Sequence, residues 1–128
     1  MLNMVIAIGK LAKPLQVRSL PNGILLACFD VLVPRPDHSA DNIPVALFEP
    51  TDRLRHWETG QDLLVIGRVR RRFFRIAGTT QSRTEVVAEV VVPLAQADGV
   101  RTALAEAGTA LAEAGTALAG VLQDFHPG

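Results

Sequence analysis

Leu63-Leu64-Val65-Ile66-Gly67-Arg68-Val69-Arg70-Arg71-Arg72-Phe73-Phe74-Arg75 reads as one long strand carrying a glycine inside it. Side chains alternate between faces of a strand, so Arg68, Arg70, Arg72 and Phe74 project from one side while Val69 turns to the core. Beyond Val69 the strand outruns its barrel. Arg71 and Phe73 then occupy the opposite face of a projecting hairpin arm that ends near Gly78. A row of guanidinium groups about 6.8 Å apart, ending in an aromatic ring, suits a flexible polyanion whose phosphates repeat at a similar distance and whose bases stack. The whole stretch 63–84 contains no acid, which makes it a local anion-binding surface.

The segments on either side supply the rest of a barrel. Val5 to Leu11 is a mostly apolar run interrupted by Gly9, which suits a strand bending at a barrel corner, where a side chain would obstruct the curve. Pro21-Asn22-Gly23 is a turn, because Pro fixes one dihedral and Asn or Gly supplies the positive one. Ile24 to Val33 follows as a second strand, too apolar for an exposed edge and therefore central. Pro34 to Asn42, rich in Pro, Asp and Ser, reads as a loop, and Ile43 to Phe48 as a short third strand. Thr51 or Asp52 then caps a short helix that places Leu54 and Trp57 on one face and ends at Gly60. The long arginine strand comes fourth, Ala77-Gly78-Thr79-Thr80 turns the chain, and Arg83 to Val92 is the fifth. Five strands with one short helix between the third and fourth is the order of an all-β OB-fold barrel. An SH3-like barrel places no helix there.

With 128 residues, 48% of them hydrophobic and 20% charged, the chain divides into a globular domain, 1–97, and a low-complexity extension, 98–128. No window reaches the roughly eighteen uninterrupted apolar residues of a membrane span, so a soluble protein is expected. Met1 to Lys10 has no basic segment ahead of its apolar run and no small-residue cleavage site, which argues against a secretory signal. Cys28, the sole cysteine, cannot form an internal disulfide, excludes a multi-cysteine metal site and fits a reducing cytoplasm. The formal net charge of zero conceals an asymmetry: residues 1–97 hold twelve Lys and Arg against nine Asp and Glu, and residues 98–128 hold Arg101 against four acids.

The extension departs from barrel patterning. Ala105-Glu106-Ala107-Gly108-Thr109-Ala110-Leu111 recurs unchanged as Ala112 to Leu118, which spaces Leu104, Leu111 and Leu118 seven residues apart. A helix there contains Gly108 and Gly115, each costing about 1 kcal/mol relative to Ala. Such a helix needs something to pack against, such as a second copy of the chain; a flexible linker fits the same composition.

The inventory for catalysis is poor. There is no Gly-rich phosphate loop with its lysine, no paired-histidine helix motif, and no serine or cysteine beside a plausible base, so no enzyme, cofactor or catalytic metal is expected. His38 beside Asp37 and Asp41 is ordinary turn chemistry. Trp57 is read as core, and Phe48, at a strand end, serves equally as core or as stacking platform. The arginine row also has a plainer reading, a solvated strand face with Phe73-Phe74 packed under a neighbouring subunit.

Several short motifs, in order and correctly spaced across residues 2–94, closely resemble the bacterial single-stranded DNA-binding proteins, SSB. They are Met1-Leu2-Asn3-Met4-Val5, Ile8-Gly9-Lys10-Leu11, Pro21-Asn22-Gly23, Ile43-Pro44-Val45, Gly60, Val65-Ile66-Gly67-Arg68-Val69 and Arg83-Thr84-Glu85-Val86-Val87-Ala88. The resemblance implies an OB-fold, assembly into a homotetramer or dimer through the first strands, and wrapping of single-stranded DNA in replication, recombination and repair. Such proteins stack bases at four places. Here two of them fall near Asp37 and at Asn42, which are not aromatic, and Phe48 and Phe74 match the other two. The family's acidic tail ending in Pro-Phe has no counterpart in Gln123 to Gly128, so recruitment of repair proteins by that route is not expected.

The expected protein is therefore a specialised, non-catalytic relative of SSB, cytoplasmic and nucleoid-associated. Lys10, Lys13, Arg18, Arg35, Arg68, Arg70, Arg72, Arg75 and Arg83 contact phosphates, and Phe48 and Phe74 stack bases. Two alternatives remain open. One is an SSB-derived assembly protein of the primosomal kind, which the missing aromatics and the leucine repeat favour; the other is an RNA-binding module, since nothing in the pattern reads a 2′-hydroxyl.

Overall fold

The computed structural model describes residues 2–123. Six strands run in the order β1 (Val5–Leu11), β2 (Gln16–Ser19), β3 (Leu25–Arg35), β4 (His38–Phe48), β5 (Asp62–Ile76) and β6 (Thr79–Pro93). A five-residue 3-10 helix, Asp52–His56, lies between β4 and β5, and one α-helix, α1 (Ala97–Gln123), follows β6. Met1 and Asp124 to Gly128 lie outside the described residues, and with them most of the segment on which the expectation about an acidic Pro-Phe tail falls.

Five strands close into a barrel. β1 pairs antiparallel with β5 from Val5↔Gly67 to Lys10↔Asp62, then crosses to β3 through Lys10↔Leu32 and Leu11↔Val31. β3 pairs with β4, β5 with β6, and a short parallel contact, Val45↔Val86 and Ala46↔Val87, joins β4 to β6 and completes the ring. The crossings are tight. A Cβ on Gly9 would strike the Leu32 carbonyl and the Val31 side chain, and one on Gly67 would strike the Val87 carbonyl and Ala88 Cα. Inside lie Leu11, Phe29, Val31, Val45, Leu63, Val65, Val86 and Ala88, with Trp57 edge-on to Phe29 at 6.1 Å between ring centroids.

The structure corrects four expectations. First, the helix expected between the third and fourth barrel strands is only a single 3-10 turn, and Thr51 at its N-cap makes no side-chain hydrogen bond. Gly60 N–H already donates to the Leu11 carbonyl and Leu11 N–H to that of Gln61, so the chain must return to β1 after one turn. Second, residues 34–42 are not one loop: β3 runs on to Arg35 and β4 begins at His38, an exposed ribbon closed by a turn at Pro36-Asp37, with a register shift between Val33 and Arg35 accommodating Pro34. A polar ribbon with both faces in water has the composition of a loop. Third, β2 is an added strand, exposed throughout and without apolar alternation, which forms because Leu25–Cys28 offers it an antiparallel edge. Fourth, Val69 is 45% exposed rather than in the core. Its backbone is instead bracketed by Asn3, whose amide donates to the Val69 carbonyl at 2.8 Å and accepts from its N–H at 2.9 Å.

The leucine repeat is helical. α1 docks its first turns on the outer face of β5 and β6, where Leu64, Ile66, Ala103 and Ala107 are buried together beside Val90, Val92 and Val100. Burying Leu64 and Ile66 contributes about 1.5–3 kcal/mol each. Among the described residues no helix is long and apolar enough to cross a membrane.

Gly67→Ala should lower stability by about 1–3 kcal/mol, because β6 main chain must move to admit the methyl group. Thermal unfolding measures it; a loss too small to detect would show that the crossing is looser than described.

Candidate nucleic-acid interface

Past Gly67, β5 leaves the barrel and pairs only with β6, as a two-stranded arm. The two-residue turn Ala77-Gly78, with φ of 49° and 80°, fixes the register as Arg75↔Thr80, Arg72↔Arg83 and Arg70↔Glu85. Paired residues share a face. Arg70, Arg72, Arg83 and Glu85 therefore point the same way, onto the outer surface formed by Arg18 of β2, Leu26, Cys28 and Asp30 of β3 and Pro44, Ala46 and Phe48 of β4. Two adjoining hollows of about 220 and 330 Å³ make a groove there.

Glu85 organises this groove. It is 7% exposed, the one buried charged residue among those described. Its Oε1 accepts from Arg70 Nη2 at 2.7 Å and from Arg72 Nε at 3.1 Å. Burial alone would raise the Glu85 pKa, but hydrogen bonds and Coulombic attraction from Arg70 and Arg72 outweigh it and hold the carboxyl below its ordinary value. Each held guanidinium also lies over a ring: Arg70 is 5.6 Å from the Phe48 centroid and Arg72 is 5.3 Å from that of Phe74. On the reverse face of the arm Arg71 covers Phe73 at 5.3 Å and donates to Ser82 Oγ at 3.0 Å.

The expected site residues divide into four groups. Lys13, Arg18, Phe48, Arg70, Arg72 and Arg83 line the groove, with Arg83 facing Asp30 at 3.7 Å and Arg18 Nη2 within 3.5 Å of Cys28 Sγ. Arg68 and Phe74 share the alternation of Arg70 and Arg72 along β5 and extend that face at either end. Lys10 and Arg35 lie apart from the groove lining, each paired with an acid, Asp62 at 2.9 Å and Asp41 at 3.3 Å. Arg75, on the opposite alternation, donates to the Gly78 carbonyl at 3.0 Å.

Sequence reasoning missed the two carboxylates, Asp30 and Glu85. Glu85 lies one residue beyond the acid-free stretch, and placing the turn at Ala77-Gly78 sets it opposite Arg70. With these acids counted, the groove lining carries five cations, Lys13, Arg18, Arg70, Arg72 and Arg83, against two carboxylates. The surface is positive, but by less than the arginine row implies. Its rings are capped by guanidinium groups rather than bare.

No protein-family model matches the chain, and no curated protein matches it at a significant level.

Glu85→Gln removes the charge that both arginines face and should cost about 1–2 kcal/mol at pH 7, a value kept low because both guanidiniums are partly solvated. Folding lowers this pKa, so the carboxylate's contribution is complete above the unfolded-state value of about 4.3 and is lost as pH falls through the folded one. Urea unfolding of both proteins at pH 7 and pH 3 should show the gap closing in acid; a gap that persists would mean the charge is not what stabilises the cluster.

Proposed function

We propose that this chain binds single-stranded DNA without strong sequence preference, as an OB-fold protein related to the bacterial single-stranded DNA-binding proteins. The observation that carries the proposal is the pair of arginine-capped rings, Arg70 over Phe48 and Arg72 over Phe74, along a groove of net positive charge. A guanidinium stacked on a ring offers its planar face to a base and its N–H groups to a phosphate. Lys13, Arg18, Arg68 and Arg83 supply further phosphate contacts. Arg83 and the Glu85-held arginines do so by sharing or exchanging a carboxylate, as do Lys10 and Arg35 farther out, and Arg75 tracks the strand along the arm.

The quoted sequence motifs and the ring of strands closed by a parallel β4–β6 contact support the OB-fold assignment. Reading a duplex requires an element that enters its major groove. α1 is a poor candidate, because its only cation among the described residues is Arg101, which is paired with Asp98 at 2.9 Å. In this reading the protein acts in replication, recombination or repair, in the cytoplasm on the nucleoid, as a homo-oligomer joined through β1, where Ile6 and Ile8 stand half exposed. A second reading, an assembly protein with weak nucleic-acid binding, is favoured by Asp37 and Asn42 at two of the family's stacking places and by the exposed leucines of α1.

Phe74→Ala should weaken oligo-dT binding by about 1–3 kcal/mol without unfolding the chain, since the ring stands on the arm rather than in the core. Fluorescence anisotropy with labelled oligonucleotide reads this directly. Unchanged affinity would make the ring structural, and no binding by the unmodified chain at low salt would favour the assembly reading.

A further inference from the structure

Beyond Ala107, α1 leaves the barrel. Ala103 and Ala107 are buried against Leu64 and Ile66, whereas Leu104, Leu111 and Leu118 are 42%, 51% and 50% exposed and Val121 and Leu122 are 59% and 58% exposed. In the sixteen residues from Gly108 to Gln123 only Ala114 is even partly covered. Residues seven apart return to nearly the same azimuth, drifting by about 20° each time. The three leucines therefore form one ridge about 21 Å long, which Val121 and Leu122 extend.

Two features of the helix say what covers this ridge. At 3.6 residues per turn, Glu106, Thr109, Glu113 and Thr116 lie about 140–160° round the helix from their neighbouring leucines, so the acids face away from it. Gly108 and Gly115 lie about 40° to one side of the ridge, with nothing within 4 Å of where a Cβ would stand. The helix thus presents a ridge beside a trough, and because residues 105–111 recur unchanged as 112–118, it presents the same ridge and trough twice. A surface of this kind complements its own reversed copy. Turned end for end, a second α1 sets Leu111 opposite Gly108 and Leu104 opposite Gly115 of the first, and keeps the four acidic side chains of the two copies, Glu106 and Glu113 of each, outward.

We infer that α1 is a contact between two copies of this chain, an antiparallel helix pair with its two-fold axis between Thr109 and Ala110. The ridge lies beside the docked face of α1, not on it, so the second helix joins without displacing the barrel. The contact is independent of the arginine groove, which lies on the outer faces of β2, β3, β4 and the arm.

Light scattering on the full chain, with Leu111→Glu and Leu118→Glu combined, tests this. The particle mass should fall by half, while Thr109→Glu with Thr116→Glu, adding the same charge to the far side of the helix, should leave it unchanged. If the glutamate variant aggregates, Leu111→Ala with Leu118→Ala must show the same halving. A chain that is already monomeric, or a mass that survives the leucine substitutions, overturns the inference. For the antiparallel sense, Cys28→Ser chains carrying Leu104→Cys and Gly115→Cys should form a disulfide-linked dimer when mixed; dimers formed by each variant alone would contradict it.

Discussion

A carboxylate removed from water needs compensation, and Glu85 finds it in two guanidinium groups. That one requirement shapes the outer surface of the barrel. Arg70 and Arg72 would otherwise repel each other from alternate positions on one strand face; sharing Glu85, they are held side by side, each over its own phenylalanine. The price is a smaller net charge. What remains is a groove with ordered cations rather than a diffuse basic patch, and an ordered guanidinium loses less conformational freedom when it meets a phosphate or a base.

β5 ties this surface to the fold by using one alternation three times. Leu63 and Val65 face the barrel interior, Leu64 and Ile66 face α1, and from Arg68 the same outward positions turn polar and line the arm. Gly67 lies between these regimes, where β5 crosses so close to Val87 and Ala88 that no side chain fits. The core, the helix dock and the groove are thus fixed relative to one another by a single strand. A shift of register by one residue would exchange all three.

Much of this was legible in the residues. The bounds of β1, the corner at Gly9, the long fourth barrel strand and the common face of Arg68, Arg70, Arg72 and Phe74 all follow from period-two alternation and glycine placement. What stayed hidden needed pairing partners. β2 has no apolar signal and exists only through its neighbour; the ribbon of β3 and β4 past Val33 reads as loop because both its faces meet water. Val69 obeys the alternation yet stands in solvent, because the barrel ends there. Glu85 required the hairpin register, which rests on the exact place of a two-residue turn. The helical state of the repeat was one of two readings, and docking of Ala103 and Ala107 on Leu64 and Ile66 is the tertiary contact that the composition could not supply.

If the groove binds single-stranded DNA as proposed, its grip is mainly electrostatic, with two capped rings in support. The number of phosphates neutralised is what distinguishes this from ring-led binding, and salt dependence reads it directly. With four to six phosphates engaged by each subunit, log affinity for oligo-dT should fall against log salt with a slope of about −3 to −4. A slope near −1 would contradict the arginine-led model.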